Sequence, residues 1–151
     1  MRTFSFRAAL PSDCDAISQL IERSVTETNA DDYPPETLQQ VVNSFTPDRI
    51  RTLISERQMF VALDQDRIIG TAGLVEGVVK SVFVSPDDQK KGVGAALMAH
   101  MESLAKEKSF TCLTLQSSIT AEGFYNKLGY ETLRREIGNN PDPVIITKRF
   151  I

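Results

Sequence analysis

An α/β domain, with helices flanking one mixed and mostly antiparallel sheet, is predicted by three features of the sequence. Segments of strand-like alternation are interleaved with segments of helical periodicity, which favours layered strands and helices over an all-helical or all-strand domain. Two short apolar runs near the middle of the chain are separated by a polar turn, the pattern of a hairpin and hence of antiparallel pairing. A third pattern runs from a strand through a glycine turn into a long helix between positions 78 and 106. At 151 residues the chain supplies one such domain, since single cores occupy roughly 100–200 residues.

The first strand is expected over Thr3 to Ala9, with Phe4 and Phe6 on one face, ended by Pro11, Ser12 and Asp13. Ser12 is read as the N-cap of a helix in which Ile17, Leu20, Ile21, Ser24 and Val25 form the buried stripe and Asp15 supplies the acidic partner of the cap. The polar run Thr28 to Pro35 breaks that pattern. Two shorter helices are expected around Glu36 to Phe45 and Asp48 to Ser55. Met59 to Leu63 and Ile68 to Val75 form the hairpin, joined by the turn Asp64 to Arg67, and Glu76 and Gly77 lead into the strand Val78 to Val84. Strict alternation puts Val78, Lys80, Val82 and Val84 on one side of that strand and Val79, Ser81 and Phe83 on the other.

A helix is expected from about Gly92 to Lys106, with Val93, Leu97, Met101, Leu104 and Ala105 as its apolar stripe and an exposed Glu102–Lys106 pair. His100, at the margin of the stripe, reads as structural. Cys112 to Leu115 is a further strand and Thr120 to Leu128 a short helix, with Gly129 placed to end it. Tyr130 to Arg134 and Val144 to Phe150 are the last two strands, joined through the GNNPDP turn.

Composition restricts the partners. Twenty acidic and 17 basic side chains leave a net charge of −3, so long-range attraction to nucleic acid is not expected. The N-terminal segment has no apolar run of the secretory kind, and no stretch nears the roughly 20 apolar residues that cross a bilayer. No membrane partner and a cytoplasmic location are the expectations. Cys14 and Cys112 read as separate thiols, neither in a CxxC, and with the single His100 they do not make a zinc site, so no metal is expected.

The richest segment is the strand Val78 to Val84 followed by Gln89, Lys90, Lys91, Gly92, Val93, Gly94 and a helix. Glycines permit a tight turn without side chains, and the unpaired N–H groups at the positive end of a helix hold phosphate. Neither the dinucleotide GxGxxG nor the GxxxxGK[ST] of triphosphate loops is present, which leaves a different phosphate carrier. Gln89, Gly92 and Gly94 match the Q/R-x-x-G-x-G/A pattern of the GCN5-related N-acetyltransferases (GNAT), and the segment resembles motif A of that family. Lys90 stands where the family often has glycine. Farther along, Ser118-Ile-Thr-Ala121-Glu-Gly-Phe124-Tyr125, ending in Gly129-Tyr130, resembles the family phrase Asn-x-x-Ala-x-x-Phe-Tyr…Gly-Phe/Tyr, with Ser118 in the asparagine position.

The resemblance implies the acyl-CoA N-acyltransferase fold for residues 1–151 as one N-acetyltransferase domain, with acetyl-coenzyme A as cosubstrate. It implies that backbone from Gln89 through Lys90, Lys91, Gly92, Val93 and Gly94 to Ala95 surrounds the pyrophosphate. Phe83 and Val84 would bond the pantetheine arm between two diverging strands, with Ser118 nearby, and Tyr125 would protonate the departing thiolate. Arg7 falls in the family's opening phrase and reads as structural. Glu76, just before the cofactor-facing strand, is the candidate general base. Asp31, Asp32, Tyr33 and Glu36 are candidates for one wall of the acceptor pocket. The expected reaction is direct acetyl transfer to a primary amine of a small molecule or a protein. The alternative is a noncatalytic acyl-coenzyme A sensor, and a homodimer is among the expected partners.

Overall fold

The computed structural model describes residues 4–137 and 143–151. The expected Thr3 and the turn residues 138–142 lie outside them. Chain order is β1 (Ser5–Ala8), α1 (Cys14–Thr28), α2 (Pro35–Asn43), α3 (Pro47–Glu56), β2 (Gln58–Asp64), β3 (Arg67–Val75), β4 (Val78–Val84), α4 (Val93–Glu107), β5 (Cys112–Ser117), α5 (Glu122–Lys127), β6 (Glu131–Ile137) and β7 (Pro143–Phe150). Short 3-10 turns at Pro11–Asp13 and Pro86–Asp88 precede α1 and the glycine turn. One seven-stranded sheet runs β1-β2-β3-β4-β5-β7-β6, antiparallel except between β4 and β5.

Helices cover both faces. Ile17, Leu20, Ile21 and Val25 of α1 pack with Ile50 and Leu53 of α3 against Met59 and Val61. On the opposite face Val93, Leu97, Met98 and Met101 of α4 pack against Ile69, Ala72, Val79, Leu113 and Leu115. Gly70 makes that second contact close: a Cβ there would stand 2.9 Å from Leu97 Cδ1.

Three local expectations are corrected. The turn into α1 is organised by Asp13 rather than Ser12: its carboxylate accepts the Leu10 N–H at 2.8 Å and both Arg7 guanidinium nitrogens at 2.7 and 3.1 Å. Arg7 is thereby structural, tying β1 to that turn. Glu102 does not pair with Lys106; it accepts from the buried Tyr130 hydroxyl at 3.1 Å and from Arg149 on β7. Strict alternation fails in β4, because a bulge opposite Ala72 inserts an extra residue and holds Ser81 at φ 60°. After it, Val82 and Val84 join Val79 on the α4 side, while Phe83 joins the α1–α3 side.

His100 stacks on Phe6 at 4.8 Å and meets Phe60 edge-on at 5.6 Å, a packing role that burial reinforces by pushing its pKa down. Cys14 and Cys112 are both free thiols. Among the described residues, no helix is long and apolar enough to cross a membrane.

Candidate active site

β4 and β5 are parallel neighbours only at Val78–Thr114 and Val79–Leu115. Beyond that point β4 stays paired to β3, through Phe83–Thr71 and Val84–Gly70, and β5 stays paired to β7 as far as Ser117. The two strands therefore diverge, and each keeps an inner edge of backbone groups with no strand partner. An unpaired edge of this kind, facing a cavity, can be completed by an extended ligand.

A cavity of about 400 Å³ occupies the gap. Its walls include Phe83 and Val84 of β4, Ser118 after β5, Tyr125 of α5, and the turn at Gln89, Lys90 and Gly92 through Val93, Gly94 and Ala95. Lys91 is not part of this lining; its ammonium stands 3.9 Å from Asp88 instead.

The turn is held from below. Asp88 is fully buried and accepts two hydrogen bonds from Arg67, at 3.0 and 3.2 Å. The Gln89 amide donates to Thr28 Oγ1 at 2.9 Å and to the Val84 carbonyl at 3.3 Å, joining the end of α1 to the end of β4. Its side chain is thus a structural tie. Lys90 and Gly92 both take left-handed backbone, at φ 64° and 86°, and Gly92 is the N-cap of α4 with no side-chain cap. The first intrahelical bond there is Ala96 N–H to the Gly92 carbonyl, so the N–H groups of Val93, Gly94 and Ala95 have no helical acceptor. These groups sit at the positive end of a 15-residue helix, and together they form an anion-binding concavity.

Tyr125 lies across the cavity from β4. It is 4 % exposed, packs edge-on against Phe124 at 5.1 Å and Tyr130 at 6.2 Å, and burial raises its phenol pKa well above the ordinary value. A C-terminal motif fixes α5 around it: Gly129 N–H donates to the Asn126 carbonyl at 3.0 Å and Tyr130 N–H to the Tyr125 carbonyl at 3.1 Å, with Gly129 at φ 96°. This double closure is the Schellman arrangement. Ser118 accepts the Ala121 N–H at 3.2 Å through its hydroxyl, capping the turn ahead of α5.

A second cavity, of about 460 Å³, opens on the α1–α3 side. It shares Asn29, Ser81, Phe83, Gln116, Ser117 and Ser118 with the first. Of the four residues expected on an acceptor wall, Tyr33 alone lines it, and its hydroxyl accepts the Ile119 N–H at 2.7 Å. Asp32 accepts from Thr120 Oγ1 at 2.6 Å, while Asp31 and Glu36 line neither cavity. The charged groups that do line it are Arg49, Arg57 and Lys80, and these the sequence reading missed. The one signal available in the sequence was an isolated glycine, Gly73, inside a strand pattern, which marks a close approach without naming the residue that makes it.

Glu76 is also corrected. It forms the β3–β4 turn with Gly77, at φ 47° and 81°, and lines neither cavity. That turn adjoins the paired end of β4, where Thr114 N–H donates to the Gly77 carbonyl at 2.9 Å. At about 3.3 Å per residue, Glu76 lies roughly 20 Å before Phe83 along the strand. Among the described residues, Asp88 is the one carboxylate lining either cavity, and its oxygens are engaged by Arg67.

Comparisons with known proteins agree with this arrangement. An Uncharacterized N-acetyltransferase, YafP of Escherichia coli (strain K12), is 26% identical over 136 residues, covering 90% of this chain and 87% of that protein. A crystal structure of a GCN5-related N-acetyltransferase (Aminotransferase, Class-II) from Rhodopseudomonas palustris has TM-score 0.93 at 24% identity, over 100% of this chain and 98% of that one. PaiA N-acetyltransferase from Thermoplasma acidophilum, in complex with coenzyme A, has TM-score 0.82 at 15% identity, over 99% of both chains. Those structures share the fold. The Acetyltransferase (GNAT) domain model matches residues 29–140, most of the sheet and both sides of the cleft, and the chain belongs to the GNAT acetyltransferase family.

Proposed function

We propose that this protein is an N-acetyltransferase that moves the acetyl group of acetyl-coenzyme A directly to a primary amine. One observation carries the reading: a single cavity joins an uncapped helix N-terminus at Val93 to Ala95, the open edge of β4, and the buried phenol of Tyr125. These three parts suit a pyrophosphate, an extended amide-bearing arm and a thioester sulfur, in that order.

In this reading the amine nitrogen attacks the thioester carbonyl from the α1–α3 side. Main-chain N–H donors near Phe83 and Val84 stabilise the developing oxyanion. The C–N bond forms, the C–S bond breaks, Tyr125 gives its proton to the sulfur, and the proton that the nitrogen sheds as it becomes an amide passes through water to restore the Tyr125 phenol. A phenol whose pKa is raised by burial stays protonated at neutral pH and keeps that proton available. The ammonium proton leaves to water before attack, since no carboxylate lines the acceptor cavity among the described residues.

Calorimetry with acetyl-coenzyme A, followed by an amine panel read by thiol release, tests the proposal. Saturable binding with amine-dependent thiol release is the expected outcome. Binding without turnover of any amine would identify a noncatalytic acyl-coenzyme A sensor, and no binding would remove both readings.

A further inference from the structure

The acceptor cavity carries an unusual charge for a site that receives an amine. Arg49, Arg57 and Lys80 line it, no Asp or Glu does among the described residues, and no salt bridge engages any of the three cations. Arg57 and Lys80 are half-buried and Arg49 is exposed, and cations without counter-ions are disfavoured in a cavity wall unless something fills the deficit. Burial lowers the Arg57 pKa, Arg49 pushes it in the same direction, and Glu56 alone opposes them, from outside salt-bridge distance.

The cations are also placed at some cost to the fold. Arg49 lies in the first turn of α3, where the helix dipole disfavours positive charge. Arg57 follows the last turn of α3 and crosses the sheet to donate to Ser81 Oγ at 3.0 Å. Its path requires Gly73: a Cβ there would stand 3.0 Å from Arg57 Cδ and 2.9 Å from Met59 Sδ. A glycine inside a central strand weakens the strand, so the passage it opens for Arg57 calls for a reason. Ser81, which receives that guanidinium, is the left-handed residue of the β4 bulge and lines both cavities.

We propose that the acceptor is a small amino carboxylate, with its carboxylate held by Arg57 together with Arg49 and Lys80, and its amino group presented past Ser81 to the open edge of β4. The inference rests on the acyl-transfer reading above. Arginine matches a carboxylate in planar, two-pronged geometry, and a cavity of about 460 Å³ has the size of small-molecule sites. The same charges repel polyamines and aminosugars, whose several ammonium groups would meet three cations and no anion.

The test uses the full chain with acetyl-coenzyme A. Each of the common α-amino acids, with β-alanine and γ-aminobutyrate, is paired with its own carboxamide, and spermidine, an aminoglycoside and a lysine-containing peptide complete the panel. At least one amino acid is expected to exceed its amide in kcat/KM by about tenfold or more, the scale of a desolvated charge contact. Arg57→Gln, and separately the exposed Arg49→Gln, should shrink that ratio while leaving acetyl-coenzyme A affinity unchanged, because neither residue lines the first cavity. The second variant keeps the test decisive if the first unfolds. Equal rates for acid and amide, turnover confined to the polycations or the peptide, or no turnover of any amine despite coenzyme binding would each overturn the inference. Of these, the absence of any turnover would overturn the acyl-transfer reading as well and leave a coenzyme A sensor, and absence of acetyl-coenzyme A binding in the parent protein would remove both.

Discussion

Replacing Gly92 with alanine isolates the backbone requirement at the start of α4. Gly92 stands at φ 86° and ψ 6°, and a Cβ built there meets nothing within 4 Å. Steric collision with neighbours therefore contributes nothing, and the penalty is the cost of a left-handed L-residue, about 1–2 kcal/mol. For a chain of this size that lowers Tm by about 2–4 °C per kcal/mol, hence by about 2–8 °C. Gly94 offers the contrasting case: its Cβ would stand 2.9 Å from Phe124 Cζ, but Phe124 is 40 % exposed and can turn away. Gly94→Ala should accordingly change Tm less than Gly92→Ala while narrowing the cavity that both residues line. Gly92→Asn, which tolerates left-handed backbone better than alanine, should recover part of the loss. Differential scanning calorimetry of the three variants, each with and without coenzyme A, supplies the readout. If Gly92→Ala melts within 1 °C or so of the parent, a small fraction of the expected shift, the left-handed turn is not what shapes the anion site.

Tyr125→Phe keeps the edge-on ring packing and removes the proton donor, so kcat should fall by about 10²-fold, the low end for a positioned acid, with coenzyme A affinity little changed; single-turnover rates within twofold of the parent would return Tyr125 to a packing role. Asp88→Ala leaves the Arg67 guanidinium without its buried carboxylate and should cost about 1–3 kcal/mol, together with weaker coenzyme A binding as the turn loosens, both measurable in one titration series. The Arg7 hydrogen bond is the largest influence holding the Asp13 carboxyl below its ordinary pKa, against opposing desolvation. The linked stability is complete above the unfolded value of about 3.9 and is lost as pH falls through the lower folded value. Asp13→Asn should therefore be less stable than the parent at pH 7 in urea denaturation, with the gap closing below about pH 4; a gap of constant size would show that the carboxylate charge is not involved. For an amine that is turned over, the inflection of kcat against pH should lie below the pKa of the free amine and move upward in Arg49→Gln.

The elements with strong periodicity were legible, and their reasons are local. The stripe Ile17, Leu20, Ile21, Ser24 and Val25 is buried as expected, and Gly129 ends α5 because its left-handed backbone suits a C′ position. What escaped depends on pairing across the sheet. The bulge at Ser81 has no glycine to announce it, since VVKSVFV reads as an unbroken strand, and the extra residue is defined by the β3 register. Glu76 was misplaced for a related reason. Nearness in sequence to β4 says nothing about which end of β4 opens, and that is decided by the two residue pairs it makes with β5. Arg49, Arg57 and Lys80 come from the two ends of α3 and from β4, and no local pattern links three basic residues so far apart in sequence until the fold brings them to one wall.

That wall bears on a step for which no carboxylate lines the acceptor cavity among the described residues. Attack on a thioester needs a neutral amine, and an ammonium arriving from water at neutral pH must first lose a proton. A general base is one solution; a field that disfavours the ammonium is another. At an effective dielectric of about 20, a single cation about 7 Å away raises the energy of an ammonium by about 2 kcal/mol, enough to lower its pKa by more than one unit. Three lining cations opposed by one substrate carboxylate still leave a net positive surround, so binding itself promotes loss of the proton to water. The same charges then serve twice, holding the acceptor by its anionic end and delivering its nitrogen with a free lone pair. On the proposed reading the reaction needs no base beside Phe83, and a carboxylate at that position would work against the field by favouring the ammonium.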